Sequence, residues 1–227
     1  KLDDALSYSE KLYNLDKNVE IGLTYIGIIL YQKLLYEESL KYFKDSLKIN
    51  ENNYHTLLNT GVVLHKLNRN DEAIKYIKKS ININDQNFMS YHNLASVYED
   101  KAKFEDALVN FKKAISINPK DFESIHGMSL LQLSKLDYKD GWKNYESRFL
   151  LSSKKIQPRH QKIPRLRSTE DIENKKILVW HEQGFGDTLQ FSRYVNRLIT
   201  LNSKVTFEVQ PELKLFLSRQ FNCIITD

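Results

Sequence analysis

The chain has 227 residues, 41% of them hydrophobic, which fits a globular protein of one or two domains. No apolar run approaches the roughly 20 residues of a membrane span, so a transmembrane segment is not expected. The single cysteine, Cys223, excludes an internal disulfide, and with no signal-peptide pattern a cytoplasmic location is expected; the net charge of +5 is local, as shown below.

Residues 1–17 read as the second helix of a helical pair, with Ala5 standing 34 residues before Ser39. Its partner helix would precede Lys1. Since the chain opens without a methionine and stops in mid-fold at Asp227, a fragment is expected.

Three full pairs follow, from about Val19 to Lys120, and their key positions recur every 34 residues. Gly27, Gly61 and Ala95 share one register, as do Leu30, Leu64 and Tyr98, and Ser39, Ala73 and Ala107. Phe43, Ile77 and Phe111 share another, followed by Ser46, Ser80 and Ala114, and by Ile49, Ile83 and Ile117. Small residues let the two helices of a pair approach closely, and the bulky ones fill the space between successive pairs. No pair buries its apolar face alone, so neighbours must stack into a solenoid. Asn52, Asn70, Asp71 and Asn87 are placed to cap helix starts, and Pro119 marks a repeat end. The pattern resembles the tetratricopeptide repeat, a likeness carried by Ala107, Phe111, Ala114 and Pro119. Leu34, Asn68 and Ala102 stand where that repeat has a glycine between its helices. A fourth pair, Asp121 to about Leu150, is degenerate: Gly141 and Tyr145 keep the small and aromatic positions, but Gln132 replaces Tyr98. The solenoid is expected to span residues 1–150.

First-helix residues not used in packing should line the inner face. Asn59 and Asn93, one interval apart, could hold an extended peptide through their side-chain amides; an ordinary repeat residue is the alternative for both. His55 and His92 lie on the same face with Thr24, Ile28, Tyr31, Leu58, Val62, His65, Ser96 and Glu99. The expected partner is a protein or peptide. The face lacks the Lys and Arg cluster that clamps acidic chaperone tails in co-chaperone repeats, and its histidines are not spaced to share a metal.

Residues 151–175 read as a basic linker. Lys154, Lys155, Arg159, Lys162, Arg165 and Arg167 meet no acidic residue between Leu151 and Ser168, which leaves the remainder of the chain near −1. Pro158 and Pro164 interrupt it. Without a stacking aromatic or a nucleic-acid motif, an extended connector against acidic side chains is expected rather than a nucleic-acid arm.

From residue 176 to 227 the pattern becomes strand, helix, strand, helix, strand: KILVWH, then LQFSRYVNRLITL, KVTFEVQ, a helix opened by Pro211, and Asn222 to Thr226. The fold class is therefore mainly α, a solenoid followed by three parallel strands of a Rossmann-like half-domain. Ligands of such sheets gather beyond the carboxyl ends of the strands, which singles out His181, Glu182, Gln183, Gly184, Gly186, Asp187 and Thr188. The glycines would allow a tight turn and close approach of a ligand to the helix start. Leu189 stands in place of a third glycine, and Asp187 would repel a phosphate, so a hydroxyl ligand suits the loop better.

Glu182 to Phe191 (EQGFGDTLQF), followed by Arg193-Tyr194, resembles the opening of the catalytic domain in bacterial tetratricopeptide-repeat glycosyltransferases. Gly141-Trp142 with Tyr145-Glu146 and Arg148 is similar to their repeat-to-catalytic junction. Those enzymes resemble the lipopolysaccharide heptosyltransferases of GT-B fold. The resemblance implies an acceptor-binding half in which Asp187 is the base and the other loop residues with Arg193 meet the acceptor. The nucleotide-sugar donor would bind a second half outside this chain, so the fragment alone is expected to be inactive, with no metal or other cofactor. Asp187 as a helix cap, His181 and Glu182 as loop bonders, and Arg193 with Arg197 as solvated cations are the competing readings. A non-catalytic interaction scaffold is the alternative for the whole protein.

Overall fold

A computed structural model describes residues 19–151, 159–160, 162–166, 172–182 and 184–227. The helix expected over residues 1–17, the site residue Gln183 and most of the basic linker lie outside the described residues. The chain divides into two compact units, Lys1–Arg159 and His160–Asp227.

Among its described residues the first unit is a stack of four helical pairs. They are α1 (Val19–Gln32) with α2 (Tyr36–Ile49), α3 (Tyr54–Lys66) with α4 (Asn70–Ile83), α5 (Phe88–Asp100) with α6 (Phe104–Ile117), and α7 (Phe122–Ser134) with α8 (Tyr138–Tyr145). A 3₁₀ turn, Glu146–Leu150, closes the series. No helix among the described residues is long and apolar enough to cross a membrane.

Two backbone devices repeat at the 34-residue interval. The first closes each pair: Leu34, Asn68, Ala102 and Leu136 all have φ between 55° and 64°, in the left-handed region. After α1, the Leu34 N–H donates to the Tyr31 carbonyl at 3.0 Å and the Leu35 N–H reaches back to Leu30 at 3.0 Å. The same two bonds recur at Asn68 and Arg69, at Ala102 and Lys103, and at Leu136 and Asp137. This double closure satisfies helix-end carbonyls and turns the chain sharply into the second helix. Glycine is therefore not needed for the turn, but its absence has a cost, because a side chain in this region is disfavoured by about 1–2 kcal/mol.

The second device separates one pair from the next. Asn50, Asn84 and Asn118 end α2, α4 and α6, and their side-chain oxygens accept the N–H of Asn52, Gln86 and Lys120 at 3.1–3.2 Å. The following helix is then capped by Asn53, Asn87 or Asp121. Asn87 caps as expected, whereas Asn53 rather than Asn52 caps α3, its side-chain oxygen accepting the N–H of His55 at 3.0 Å and of Thr56 at 3.1 Å, while the backbone N–H of Asn52 donates to Asn50 Oδ1. Asn70 and Asp71 do not cap either: Arg69 precedes α4 with no side-chain cap bond, and Asp71 pairs with Lys101 at 3.0 Å.

The predicted small and large positions make the core. Phe43, Ile77 and Phe111 are almost fully buried, with Ala73, Ala95, Ala107 and Ala114 closed off around them. A methyl group added at Gly61 would lie 2.4 Å from Ile77 Cγ1, and one at Gly27 2.7 Å from the Phe43 ring. Those aromatic and branched residues thus pack on the glycine of their own pair. Phe111 also reaches into the next pair, where a Cβ on Gly127 would come within 2.6 Å of it. In the degenerate fourth pair, Gln132 replaces an apolar contact with hydrogen bonds, accepting from Asn144 Nδ2 at 2.8 Å and donating to Asp137 at 3.2 Å.

The second unit is a three-stranded parallel sheet, β1 (Lys176–Trp180), β2 (Lys204–Glu208) and β3 (Ile224–Thr226), in the order β1-β2-β3. Helices α9 (Phe185–Thr200) and α10 (Pro211–Ser218) connect the strands. Val205, Phe207 and Val209 join Val195 and Leu217 in its core. The alternate strand residues include Trp180 and Glu208, which meet His160: its Nε2 is 2.8 Å from Glu208 Oε2 and its ring packs edge-on to Trp180.

Replacing Leu34 or Leu136 by glycine relieves the left-handed strain, and both side chains are more than two-thirds exposed, so little packing is lost. Each change is expected to raise the unfolding free energy by about 0.5–1 kcal/mol after glycine's own entropic cost. Urea unfolding checks this, and a lowered midpoint for both variants contradicts the strain.

Candidate functional site

Two surfaces hold the sequence-derived candidates, one in each unit. In the solenoid the first helices of successive pairs, α1, α3, α5 and α7, approach one another and line the inner face.

Asn59 and Asn93 are partly exposed there. Asn93 Nδ2 donates to the Met89 carbonyl at 2.7 Å, one turn earlier, which fixes the amide and leaves its oxygen to accept. His55 is exposed, its ring 3.9 Å from that of Tyr54. His65 Nε2 lies 2.7 Å from Asp100 across neighbouring pairs. Glu99, beside Asp100, has its carboxyl pushed up by burial and then by that neighbouring charge.

Other inner-face candidates turn inward. Leu58 is buried, and Thr24 sits in a hydroxyl network between the first two pairs, 2.8 Å from Ser46 Oγ and 3.0 Å from Thr56 Oγ1. Two intervals later the same places are held by His92 and Ser124, with His92 Nδ1 at 2.8 Å from Ser124 Oγ and its ring packed on Phe111. At the joint between them the position of Thr24 and His92 is held by Leu58, and Ser90 instead meets Ser80, the register partner of Ser46, at 3.1 Å. His92 is thus tied into the joint between the third and fourth pairs. Burial lowers its pKa, opposed by the charges of Asp121 and Glu123.

The sequence reading placed Ile28, Tyr31, Leu58 and Val62 on this face but missed its most exposed apolar side chains. Ile21, Tyr25 and Met89 are each about half exposed, and Leu130 is 43% exposed. The signal was the interval itself: Tyr25 shares the register of Asn59 and Asn93, and Ile21 and Met89 share that of His55.

In the second unit, α9 starts earlier than expected, so Gly186, Asp187 and Thr188 form its first turn and Gly184 precedes it with φ −71° and ψ 174°. Neither glycine takes a positive φ, so the tight glycine turn expected here is not formed. What the glycines leave is room, since a Cβ at either would meet nothing within 4 Å. Asp187 is half-buried in the first turn, where the helix dipole favours a negative charge, and Gly184 gives the helix no side-chain cap. Thr188 is buried, its Oγ1 3.4 Å from the Gly184 carbonyl. His181 extends the ladder, donating its N–H to the Glu208 carbonyl at 3.1 Å, and Glu182 follows, half-buried.

Arg193 is not brought to this group. Six residues beyond Asp187, it lies about 120° around the helix. Its guanidinium sits 5.0 Å from the Tyr194 ring centroid and donates to Tyr194 Oη at 3.2 Å. It lines an open groove of about 460 Å³ between α9 and α10, with Leu189, Phe216 and Phe221. Among the described residues, no three His, Cys, Asp or Glu side chains gather as a metal site.

Residues 54–87 and 90–121, which contain α3–α4 and α5–α6, match the family model for the tetratricopeptide repeat. These are tetratricopeptide repeats. Similar solved structures agree in fold. MamA from Desulfovibrio magneticus RS-1 is 20% identical, with a TM-score of 0.57 over 64% of this chain and 82% of its own. YrrB, described as a TPR protein with an unusual peptide-binding site, is 19% identical, with a TM-score of 0.53 over 70% of this chain and 79% of its own. PilF from Pseudomonas aeruginosa is 16% identical, with a TM-score of 0.60 over 64% of this chain and 67% of its own. The sequence has no match among curated proteins.

The lowered pKa of His92 sets a direction for acid stability. As pH falls, the unfolded chain takes up the proton near the ordinary value of 6.5, before the folded one does. The contribution of neutral His92 is therefore complete above that value and lost as pH drops through and below it. An NMR titration is expected to place the His92 midpoint below 6.5, and His92→Gln should flatten the fall in melting temperature between about pH 7.5 and 5. A midpoint above 6.5 contradicts the burial argument.

Proposed function

We propose that the solenoid is a protein-interaction scaffold that holds an extended, largely uncharged peptide along its inner face. The observation that carries this is the row of partly exposed first-helix residues in one 34-residue register, where Tyr25 is followed by the amides of Asn59 and Asn93. An amide can meet both the N–H and the C=O of an extended backbone, while Ile21, Met89 and Leu130 offer apolar contact between such grips. Basic clamp residues are absent from this row, which disfavours an acidic tail as ligand. The peptide-binding site named for YrrB gives the reading a precedent on a similar fold.

The second unit favours a further role, acceptor binding in a GT-B glycosyltransferase. The supporting observation is a parallel β1-β2-β3 sheet whose first strand leads to a half-buried Asp187 in the first turn of α9, with open space over Gly184 and Gly186. An acceptor hydroxyl over that turn would pass its proton to Asp187 as it attacks the sugar. The donor nucleotide sugar would need a second half-domain, so residues 1–227 alone are expected to give no turnover.

Selection from a library of short displayed peptides tests the first reading. Binders of the wild-type chain are expected to lose about tenfold in affinity to an Asn59→Ala/Asn93→Ala variant, the size expected for two lost backbone hydrogen bonds. Unchanged affinity for every selected peptide removes the asparagines from the site. For the second reading, Asp187→Asn in a longer protein carrying both halves is expected to slow sugar transfer by at least about a hundredfold while acceptor binding persists. Normal transfer rates in that variant exclude Asp187 as the base.

A further inference from the structure

The outward surfaces of α2, α4 and α6 carry a charge pattern that peptide binding on the inner face does not use. Their first turns hold only acids, Glu37 and Glu38, Asp71 and Glu72, and Glu105 and Asp106, as the helix dipole favours. Beyond the first turn the same three helices hold eight lysines and a single acid, Asp45.

These lysines are in register. Lys41 is followed 34 residues later by Lys75, Lys44 by Lys78 and Lys112, and Lys79 by Lys113. They therefore form one strip across three stacked pairs. Among the described residues, the one ion pair within the strip is Lys48 with Asp45, at 2.6 Å. The ammonium groups of Lys78, Lys79 and Lys113 lie 5.8–5.9 Å from the ring centroids of Tyr98, Tyr76 and Tyr91. All three of these lysines stay exposed.

Two features indicate what the strip would meet. Every cation in it is lysine. Arginine would fork onto individual phosphates, whereas mobile ammonium groups suit a diffuse anionic surface whose charges hold no fixed positions. Apolar side chains are also exposed on the same helices: Val109 stands where Lys41 and Lys75 stand, and Ile49 and Ile83 end α2 and α4 about half exposed. Such groups can enter the headgroup boundary of a bilayer. The rings of Tyr76, Tyr91 and Tyr98 lie beneath lysines and are not open for stacking with bases.

We infer that the lysine strip on α2, α4 and α6 docks the solenoid peripherally on a membrane surface rich in acidic lipids. The inner face stays open on the opposite side, so a peptide and a bilayer could be held together.

Vesicle co-sedimentation of residues 1–227 tests this, with phosphatidylcholine vesicles with and without about 30% phosphatidylglycerol. Binding is expected only with the anionic lipid and should be lost at about 0.5 M salt. The variant Lys75→Glu/Lys78→Glu/Lys79→Glu, whose fold is checked by circular dichroism and melting temperature, is expected to bind on the order of a hundredfold more weakly. A second variant, with the six basic residues between 151 and 168 changed to glutamine, should keep binding. The inference is overturned if neutral vesicles bind equally, if the lysine variant binds as wild type, if only the 151–168 variant loses binding, or if an oligonucleotide binds where anionic vesicles do not.

Discussion

The solenoid depends on a residue forced into the left-handed backbone region once every 34 positions. At Leu34, Asn68, Ala102 and Leu136 that conformation reverses the chain and delivers the second helix against the first. Three of these four residues have neither glycine's freedom nor the local bonding of asparagine. The conformation persists because two hydrogen bonds close each turn and because the helices on either side interlock through Gly27, Gly61 and Ala107. Stacking thus supplies what local preference withholds.

Much of this was legible in the residues. The small and large positions report packing, and packing repeats with the chain, so the pairs and their faces follow from the interval. The glycine-free turns were harder to read because Leu34 and Ala102 carry no local sign of a positive φ. Asn53 rather than Asn52 caps α3 because Asn52 lies inside the turn that its own backbone N–H closes on Asn50 Oδ1, a one-residue offset between adjacent identical side chains that composition does not reveal. His92 lies at a joint where its register partners are Thr24 and Leu58, three side chains with no chemistry in common. Only contact with Ser124 shows that the threonine and the histidine do the same work.

The second unit was read correctly as a parallel sheet with alternating helices, since short apolar strands and Pro211 mark its elements plainly. Its loop was less transparent. Two glycines near a helix start suggest a sharp bend, yet both have ordinary negative φ, and α9 begins inside the expected loop. Arg193 follows Asp187 closely in sequence but points to the groove beside α10, because a helix distributes neighbours around its axis.

The asparagine bonds at Asn50, Asn84 and Asn118 and the turns at Leu34, Asn68, Ala102 and Leu136 fix both connections of every pair in length as well as in shape. Deleting or inserting one amino acid at either connection would rotate every later pair about the stacking axis, taking the amides and the lysines out of alignment together. Such an array can diverge by exchanging side chains but not by changing its count.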